Sequence, residues 1–282
     1  YQRPLKSGQE YYRAFPEVEI AKLVRNLSHV PPFLAEGPYF YSEKYISGNS
    51  LDSIYADFTP IARSDIETIV KNIVDVARIK SSTLRHRQPW SNNQEFFLFQ
   101  INNTISALHR QSRRIPTWRK AFGIDWATVA VLDELPRQVS QNRPLCLIHG
   151  DRHKNNMIRS NGTLYFIDWE YGCIGDLAYE LAFHIHQMKY NDTDLTYLLA
   201  CLRQLLPPKL LSALNDIDVY MKYIALRSVM YYMRVLQECA YTARTCEKFY
   251  LRLHELAKYS EFDTKDYSLE EVKTMVKALK MT

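Results

Sequence analysis

Glycine is scarce, eight in 282 residues, and none builds a Gly-rich phosphate loop. Gly8 stands isolated and no Gly-x-x-x-x-Gly-Lys occurs, so residues 1–282 carry no loop-and-lysine cradle for phosphate. No apolar run approaches the ~20 residues of a membrane span, so no bilayer insertion is expected. The five cysteines (Cys146, Cys173, Cys201, Cys239, Cys246) are odd in number and lack Cys-x-x-Cys spacing. They argue against a disulfide framework and read as buried thiols of a reducing compartment, here the cytoplasm. No repeat, low-complexity tract or long Gly/Ser linker interrupts the chain. Charge of one sign is also nearly absent as a surplus. Thirty-six Lys and Arg against 31 Asp and Glu give a formal +5, which suits phosphate-bearing ligands but is too small to argue for nucleic acid.

What the chain does have is concentrated in Leu145 to Asp176. An apolar run delivers His149-Gly150-Asp151, a polar loop ends at Asn156, and two short apolar runs flank Asn161-Gly162, a strong two-residue hairpin signal. A two-residue turn sets Ser160 opposite Thr163, Ile158 opposite Tyr165 and Asn156 opposite Ile167. Asn156 then lies within one step of Asp168, and Asp151 can fold over the same open end. Oxygen ligands of this kind suit magnesium. The chemistry that most needs them is phosphoryl transfer, in which one carboxylate takes the hydroxyl proton while an Asn and a second Asp hold metal against the phosphates.

These residues resemble the His-Gly-Asp-x-x-x-x-Asn and Ile-Asp-Trp-Glu motifs of the aminoglycoside phosphotransferase and choline kinase family, distant relatives of protein kinases. The resemblance implies Asp151 as catalytic base, Asn156 and Asp168 as magnesium ligands, and ATP (or GTP) as co-substrate. It implies an α+β, two-lobe protein-kinase-like fold. Residues 1–48 would form a small, incomplete nucleotide-binding lobe and hinge, and 49–282 a larger, mainly helical catalytic and substrate-binding lobe. Gly175-Asp176 resembles the segment that opens the family's next helix, with Asp176 as its N-cap. His149 either serves the chemistry or, at a strand end, bonds a neighbouring backbone group or Asp176.

In the first lobe, Tyr1 to Leu5 reads as the end of a strand, Gly8-Gln9-Glu10 as a loop, Val18 to Leu27 as a helix stopped at Pro31-Pro32, and Tyr39 to Ile46 as a strand. By resemblance, Glu19 is the helix glutamate and Lys44 to Ile46 the hinge that meets adenine, with Ile167 in the nucleotide site. The strand lysine is missing; Arg3 occupies roughly its place and can hold phosphate. We expect residues before Tyr1 to carry the loop and lysine; the alternative is a degraded nucleotide lobe.

In the second lobe, Ser64-Asp65-Ile66-Glu67 reads as a capping box opening a helix with Ile66, Ile69, Val70, Ile73, Val74 and Ala77 on one face. Further helices are expected at Glu95 to Arg110, Trp126 to Val139, Asp176 to Tyr190, Thr196 to Leu206 and within Asp218 to Ala257, with Ser268-Leu269-Glu270-Glu271 capping a last one. His184 and His186, at i,i+2, point to different helix faces, so zinc is not expected. The basic residues around Pro116 and Trp118 (His109, Arg110, Arg113, Arg114, Arg119, Lys120) read as a solvated helix end. Tyrosines crowd the C-terminal helices, most as packing residues.

The acceptor is expected to be a small-molecule hydroxyl, first an aminoglycoside-type antibiotic, which would make the protein a resistance factor, and second choline, ethanolamine or a similar metabolite. A kinase-like nucleotide binder without turnover is a further reading. A polycationic acceptor asks for carboxylates, yet residues 201 to 282 carry thirteen Lys and Arg against ten Asp and Glu. Asp192, Asp194, Asp216, Asp218 and Glu238 are the available ones. No nucleic-acid or membrane partner is expected, and the sequence says nothing of oligomeric state.

Overall fold

The computed structural model describes residues 2–4, 17–37, 40–80, 84, 88–111, 115–124, 126–238, 242–259, 262 and 267–281. The expected loop at Gly8 to Glu10 and the residues Tyr1, Leu5, Tyr39, Arg113, Arg114, Cys239 and Tyr241 lie outside them, as do the side chains of Arg3, His109, Arg110 and Arg119.

Residues 1–96 and 140–217 form one compact unit. It opens with a three-stranded antiparallel sheet in the order β1 (Gln2–Pro4), β3 (Phe40–Glu43), β2 (Phe33–Gly37), in which Arg3 pairs with Tyr41. The first helix, α1, runs Glu17–Val24 and buries Ile20, Ala21 and Val24. Two expectations are corrected here. The helix ends three residues short of Leu27, and the strand expected over Tyr39 to Ile46 stops at Glu43. Phe33–Gly37, unforeseen, supplies its partner: the helix ends well before Pro31-Pro32, and the two prolines lead the chain into an extended strand instead.

Beyond residue 44 come β4 (Asn49–Ser50), the short helix α2 (Leu51–Ile54) and the long α3 (Arg63–Arg78), whose apolar stripe Ile66, Ile69, Val70, Ile73, Val74 and Ala77 is buried as its 3.6-residue spacing requires. The capping box does not form. Ala62 occupies the N-cap without a side-chain bond, and Ser64 lies inside the helix. Its two acids have long-range partners instead. Asp65 accepts from Tyr55 and pairs with Arg159, and Glu67 accepts from the Tyr197 hydroxyl.

Strand β5 (Cys146–Ile148) pairs antiparallel with β8 (Cys173–Gly175), and β4 joins the hairpin of β6 (Met157–Ser160) and β7 (Thr163–Phe166). Ser160 faces Thr163 and Ile158 faces Tyr165, as the Asn-Gly turn requires. Asn161 and Gly162 both have positive φ, 47° and 78°, the geometry of the tight turn whose twist matches the strands. The helices Leu177–Met188 and Asp192–Leu205 and the 3-10 segment Pro208–Asn215 complete the unit.

Residues 97–139 and 218–282 form the second unit, built from helices. Described there are the later part of Asn93–Gln111, Ile115–Ala121, Trp126–Gln138, most of Ile217–Glu238, Ala243–Leu256 and Leu269–Met281. Its core is aromatic: Phe97 packs on Tyr220 and Tyr223, and Phe122 on Phe249 edge to face at 4.8 Å. Tyr231 and Tyr232 stack instead under the chain's own Arg234 and Arg252. Ser268 and Glu271 form the expected reciprocal cap. Among the described residues no helix is long and apolar enough to cross a membrane.

Candidate active site

Strand β5 ends at Ile148, and the chain must turn sharply to present the next residues. Gly150 makes that turn at φ +78°, where an added Cβ would sit 2.3 Å from the Tyr171 carbonyl oxygen, so only glycine fits. Asp151 follows, half-buried, and a single 3-10 turn, Lys154–Asn156, folds the chain back. Asn156 closes the loop: its Nδ2 donates to the Asp151 carbonyl at 2.9 Å and to Asp151 Oδ2 at 3.3 Å. At the hairpin's open end the Ile167 N–H donates to the Asn156 carbonyl at 3.0 Å. Asp168 comes next, in a left-handed conformation at φ 67°, one that Asp tolerates better than most residues. Asp151, Asn156 and the hairpin end carrying Asp168 are thus brought together.

His149 links the two halves of this arrangement. Its Nε2 lies 2.9 Å from the Ile167 carbonyl oxygen and its Nδ1 3.4 Å from the Asp151 amide nitrogen. Only a proton on Nε2 satisfies both, since a carbonyl accepts and an amide donates. Burial, then the nearby Arg152 charge, pushes its pKa down to about 4, so the ring is neutral at pH 7. Of the two readings left open for His149, the structure shows the backbone bond.

His153 was not foreseen. Its Nε2 lies 3.4 Å from Asp151 Oδ2, and its Nδ1 accepts from the Asn155 amide at 3.2 Å. Burial opposes its charged form, but the hydrogen bond and charge of Asp151, with the charges of Asp168 and Asp52, outweigh it and raise its pKa.

Beneath the loop lies a buried polar network absent from the sequence reading. Glu180 accepts the Gly150 N–H at 2.9 Å through Oε2 and the Arg152 Nε–H at 2.7 Å through Oε1. Arg152 Nη1 donates to Asn72 Oδ1 at 2.6 Å. Burial alone would raise the Glu180 pKa, but the Arg152 charge, with the hydrogen bonds from Arg152 and the Gly150 N–H, reverses this and holds it below the ordinary carboxylate range. His184, bonded to the Arg152 carbonyl and the Tyr190 hydroxyl, is pushed down to about 3 by burial and by Arg152. Asp176 caps the following helix through the Ala178 N–H at 2.9 Å, as expected, and also holds the buried Arg143.

The residues expected to meet nucleotide lie on several elements. Arg3 is on β1 opposite Tyr41. Glu19 is half-buried on α1, whereas Glu17 is the buried acid of that helix and accepts the Tyr41 hydroxyl at 2.8 Å. Lys44 is exposed and its N–H is committed to the Pro32 carbonyl at 2.9 Å. Ile46 is half-buried just before β4, and Ile167, also half-buried, lies between Asn156 and His149 through its backbone. Helix α1 packs against the turn that follows Asp168, since a Cβ on Gly172 would meet Ile20 at 2.7 Å.

Whether this site fits a cation is a question of donor chemistry. Asn156 and Asp168 offer oxygen, the donor of hard cations. Among the described residues no group of three or more His, Cys, Asp or Glu side chains could hold a metal. The residues therefore fit an ion that takes only one or two protein ligands and completes its shell from phosphate and water, as magnesium does, and they do not fit a protein-caged metal.

A β-ribbon that returns an Asp to a loop bearing Asp and Asn, backed by helices, defines the kinase-like α+β, two-lobe fold. The chain belongs to the phosphotransferase enzyme family, whose model matches residues 6–211. It is similar to a LicA homolog of Metamycoplasma hominis, 26% identical over 183 residues, which are 64% of each chain; it thus spans less than two thirds of that relative's length. Among solved structures it is similar to the ethanolamine kinase of Plasmodium vivax, at TM-score 0.61 and 16% identity over 91% of this chain and 74% of that one. The choline kinase LicA of Streptococcus pneumoniae gives TM-score 0.60 and 14% identity, over 92% and 86%.

Proposed function

We propose that the protein is an ATP-dependent phosphotransferase that moves the γ-phosphate to the hydroxyl of a small alcohol of the choline or ethanolamine type. The observation that carries this reading is the closure of the catalytic loop, in which Asn156 bonds Asp151 while its carbonyl receives the N–H of the residue before Asp168. Asp151 takes the acceptor's hydroxyl proton as that oxygen bonds to the γ-phosphorus and the bond to the β–γ bridging oxygen breaks, releasing ADP. Asn156 and Asp168 would hold magnesium, which when bound neutralises charge on the phosphates. Residues 1–48, with Arg3, Glu19, Lys44 and Ile46, serve as nucleotide lobe and hinge, and Ile167 borders the same site. Residues 49–282 form the catalytic and acceptor lobe. The buried thiols Cys146 and Cys173 are free, which supports work in a reducing compartment such as the cytoplasm.

Two things favour a small singly charged acceptor over the aminoglycoside first expected. One is the somewhat greater likeness to ethanolamine and choline kinases, at TM-scores 0.61 and 0.60, than to a streptomycin-bound aminoglycoside phosphotransferase, at 0.55. The other is the fate of the carboxylates an aminoglycoside would need. Asp194 is committed to the Ile61 amide and Asn191, Asp216 to Arg143 and the Ser140 amide, and Glu238 lies 3.8 Å from Arg234. Only Asp192 and Asp218 of the five are left exposed without such a partner. The test is ADP release with ATP or GTP and magnesium, offering choline, ethanolamine or streptomycin. The expected result is turnover with choline or ethanolamine that drops by about two orders of magnitude or more in Asp151→Asn at near-unchanged nucleotide affinity. Turnover confined to streptomycin overturns the acceptor assignment, and full turnover by the variant removes Asp151 as the base.

A further inference from the structure

We propose that Arg152 is a positioning residue for phosphoryl transfer, with Asn72 as the partner that fixes it: together they set where Asp151 stands relative to Asp168. The inference rests on the phosphotransferase reading above. Arg152 directly follows Asp151, yet it is 1% exposed, rare for an arginine. It touches three of the elements around the site. Its Nε meets Glu180 on the helix Leu177–Met188, its Nη1 meets Asn72 on α3, and its carbonyl accepts from His184. Its guanidinium carbon lies 4.8 Å over the Phe166 ring, on the strand that runs into Ile167 and Asp168. Because Glu180 also holds the Gly150 N–H, the residues on both sides of Asp151 are anchored to one carboxylate.

Stability alone does not explain this arrangement. A buried ion pair is often no better than apolar residues of similar volume. Asn72, moreover, must turn its Oδ1 to Arg152, and its Nδ2 is buried with no hydrogen-bond partner among the described residues, a loss that usually costs on the order of 1–3 kcal/mol. What the fork of a guanidinium adds is direction. Two nitrogens bind two acceptors on two helices while the flat face rests on the hairpin, a geometry that a lysine's point charge cannot reproduce.

The test compares Arg152→Lys, Asn72→Leu and Asn72→Asp with wild type, at a temperature well below each melting transition. Arg152→Lys keeps a charge for Glu180 but loses the Asn72 bond and the Phe166 contact; Asn72→Leu removes the acceptor together with the unpaired Nδ2; Asn72→Asp keeps an oxygen in its place. The expected result is a kcat lowered at least tenfold in the first two with KM for nucleotide and acceptor within about threefold, and kcat near wild type in Asn72→Asp, since a misplaced base slows the chemical step more than binding. Hydrogen exchange at the Gly150 and Asp151 amides is measured alongside and should quicken in the first two variants but not in the third. Unchanged kcat and unchanged exchange, with only a lower melting temperature, overturn the proposal. Should Arg152→Lys fail to fold, the Asn72 pair decides. Should the wild type transfer phosphate to no alcohol, the functional reading fails, while the exchange rates still judge the positioning role.

Discussion

Acid should unfold this protein through two buried histidines before it protonates the carboxylates. His149 and His184 are fully buried and neutral, with pKa values pushed down to about 4 and about 3 from an ordinary 6.5. Below pH 6.5 the unfolded chain binds protons at both rings and the folded chain does not, so stability falls as pH falls through the window from about 6.5 toward those depressed values. Between pH 8 and pH 5 each ring removes about 2 kcal/mol, from 1.5 pH units at about 1.36 kcal/mol per unit, or about 4 kcal/mol for the pair. His153, whose pKa is raised, acts with the opposite sign, and Glu180, whose pKa is lowered, adds its loss only as pH falls below its unfolded value of 4.5. The effect is isolated by His184→Asn, whose amide can still donate to the Arg152 carbonyl but leaves the Tyr190 hydroxyl without its 2.8 Å partner. At pH 8 the variant should be less stable than wild type by about 1–3 kcal/mol. By pH 5 that gap should shrink by about 2 kcal/mol, because the variant has no ring left to protonate. Urea unfolding of both proteins at the two pH values measures it. A gap that stays constant would refute the assignment of His184 as a buried neutral imidazole.

Two other outcomes follow from the loop and the hairpin. Gly150→Ala forces a methyl against the Tyr171 carbonyl at a positive φ, so it should destabilise the protein by about 3 kcal/mol, read by denaturant unfolding; a loss under 1 kcal/mol would mean the turn can re-form without glycine. Asp168→Ala should abolish magnesium-dependent nucleotide binding while sparing the hairpin, whose ladder it does not join; calorimetry that shows unchanged binding would move the cation to other ligands.

Local signals explain what was legible in the sequence. Asn161-Gly162 admits few turn geometries, and one turn sets the whole hairpin ladder, which delivers Ile167 to Asn156. Asp176 as a helix cap is local in the same sense. Arg152, Asn72 and Glu180 were not legible, because the partners lie 80 and 28 residues from Arg152 and no period or spacing connects them. The same physics defeated the capping box at Ser64. Its residue types were right, but Asp65 and Glu67 found partners in Tyr55 and Tyr197 that a local reading does not see. The short β4 is of the same kind, ordered by pairing with Arg159 and Ile158 more than a hundred residues away.

The hairpin also separates two ends with different tolerances. At its base, Asn156 and Ile167 are bonded into the catalytic loop. At its tip, Asn161 and Gly162 are exposed, and nothing lies within 4 Å of where a Gly162 side chain would begin. A foreign peptide spliced between those two residues would project from the ribbon without meeting a neighbour, and each doubling of its length would add only about 0.6 kcal/mol of closure entropy. The protein therefore carries, four ladder pairs from its catalytic loop, a natural socket for a fluorophore tag or an inserted sensor domain.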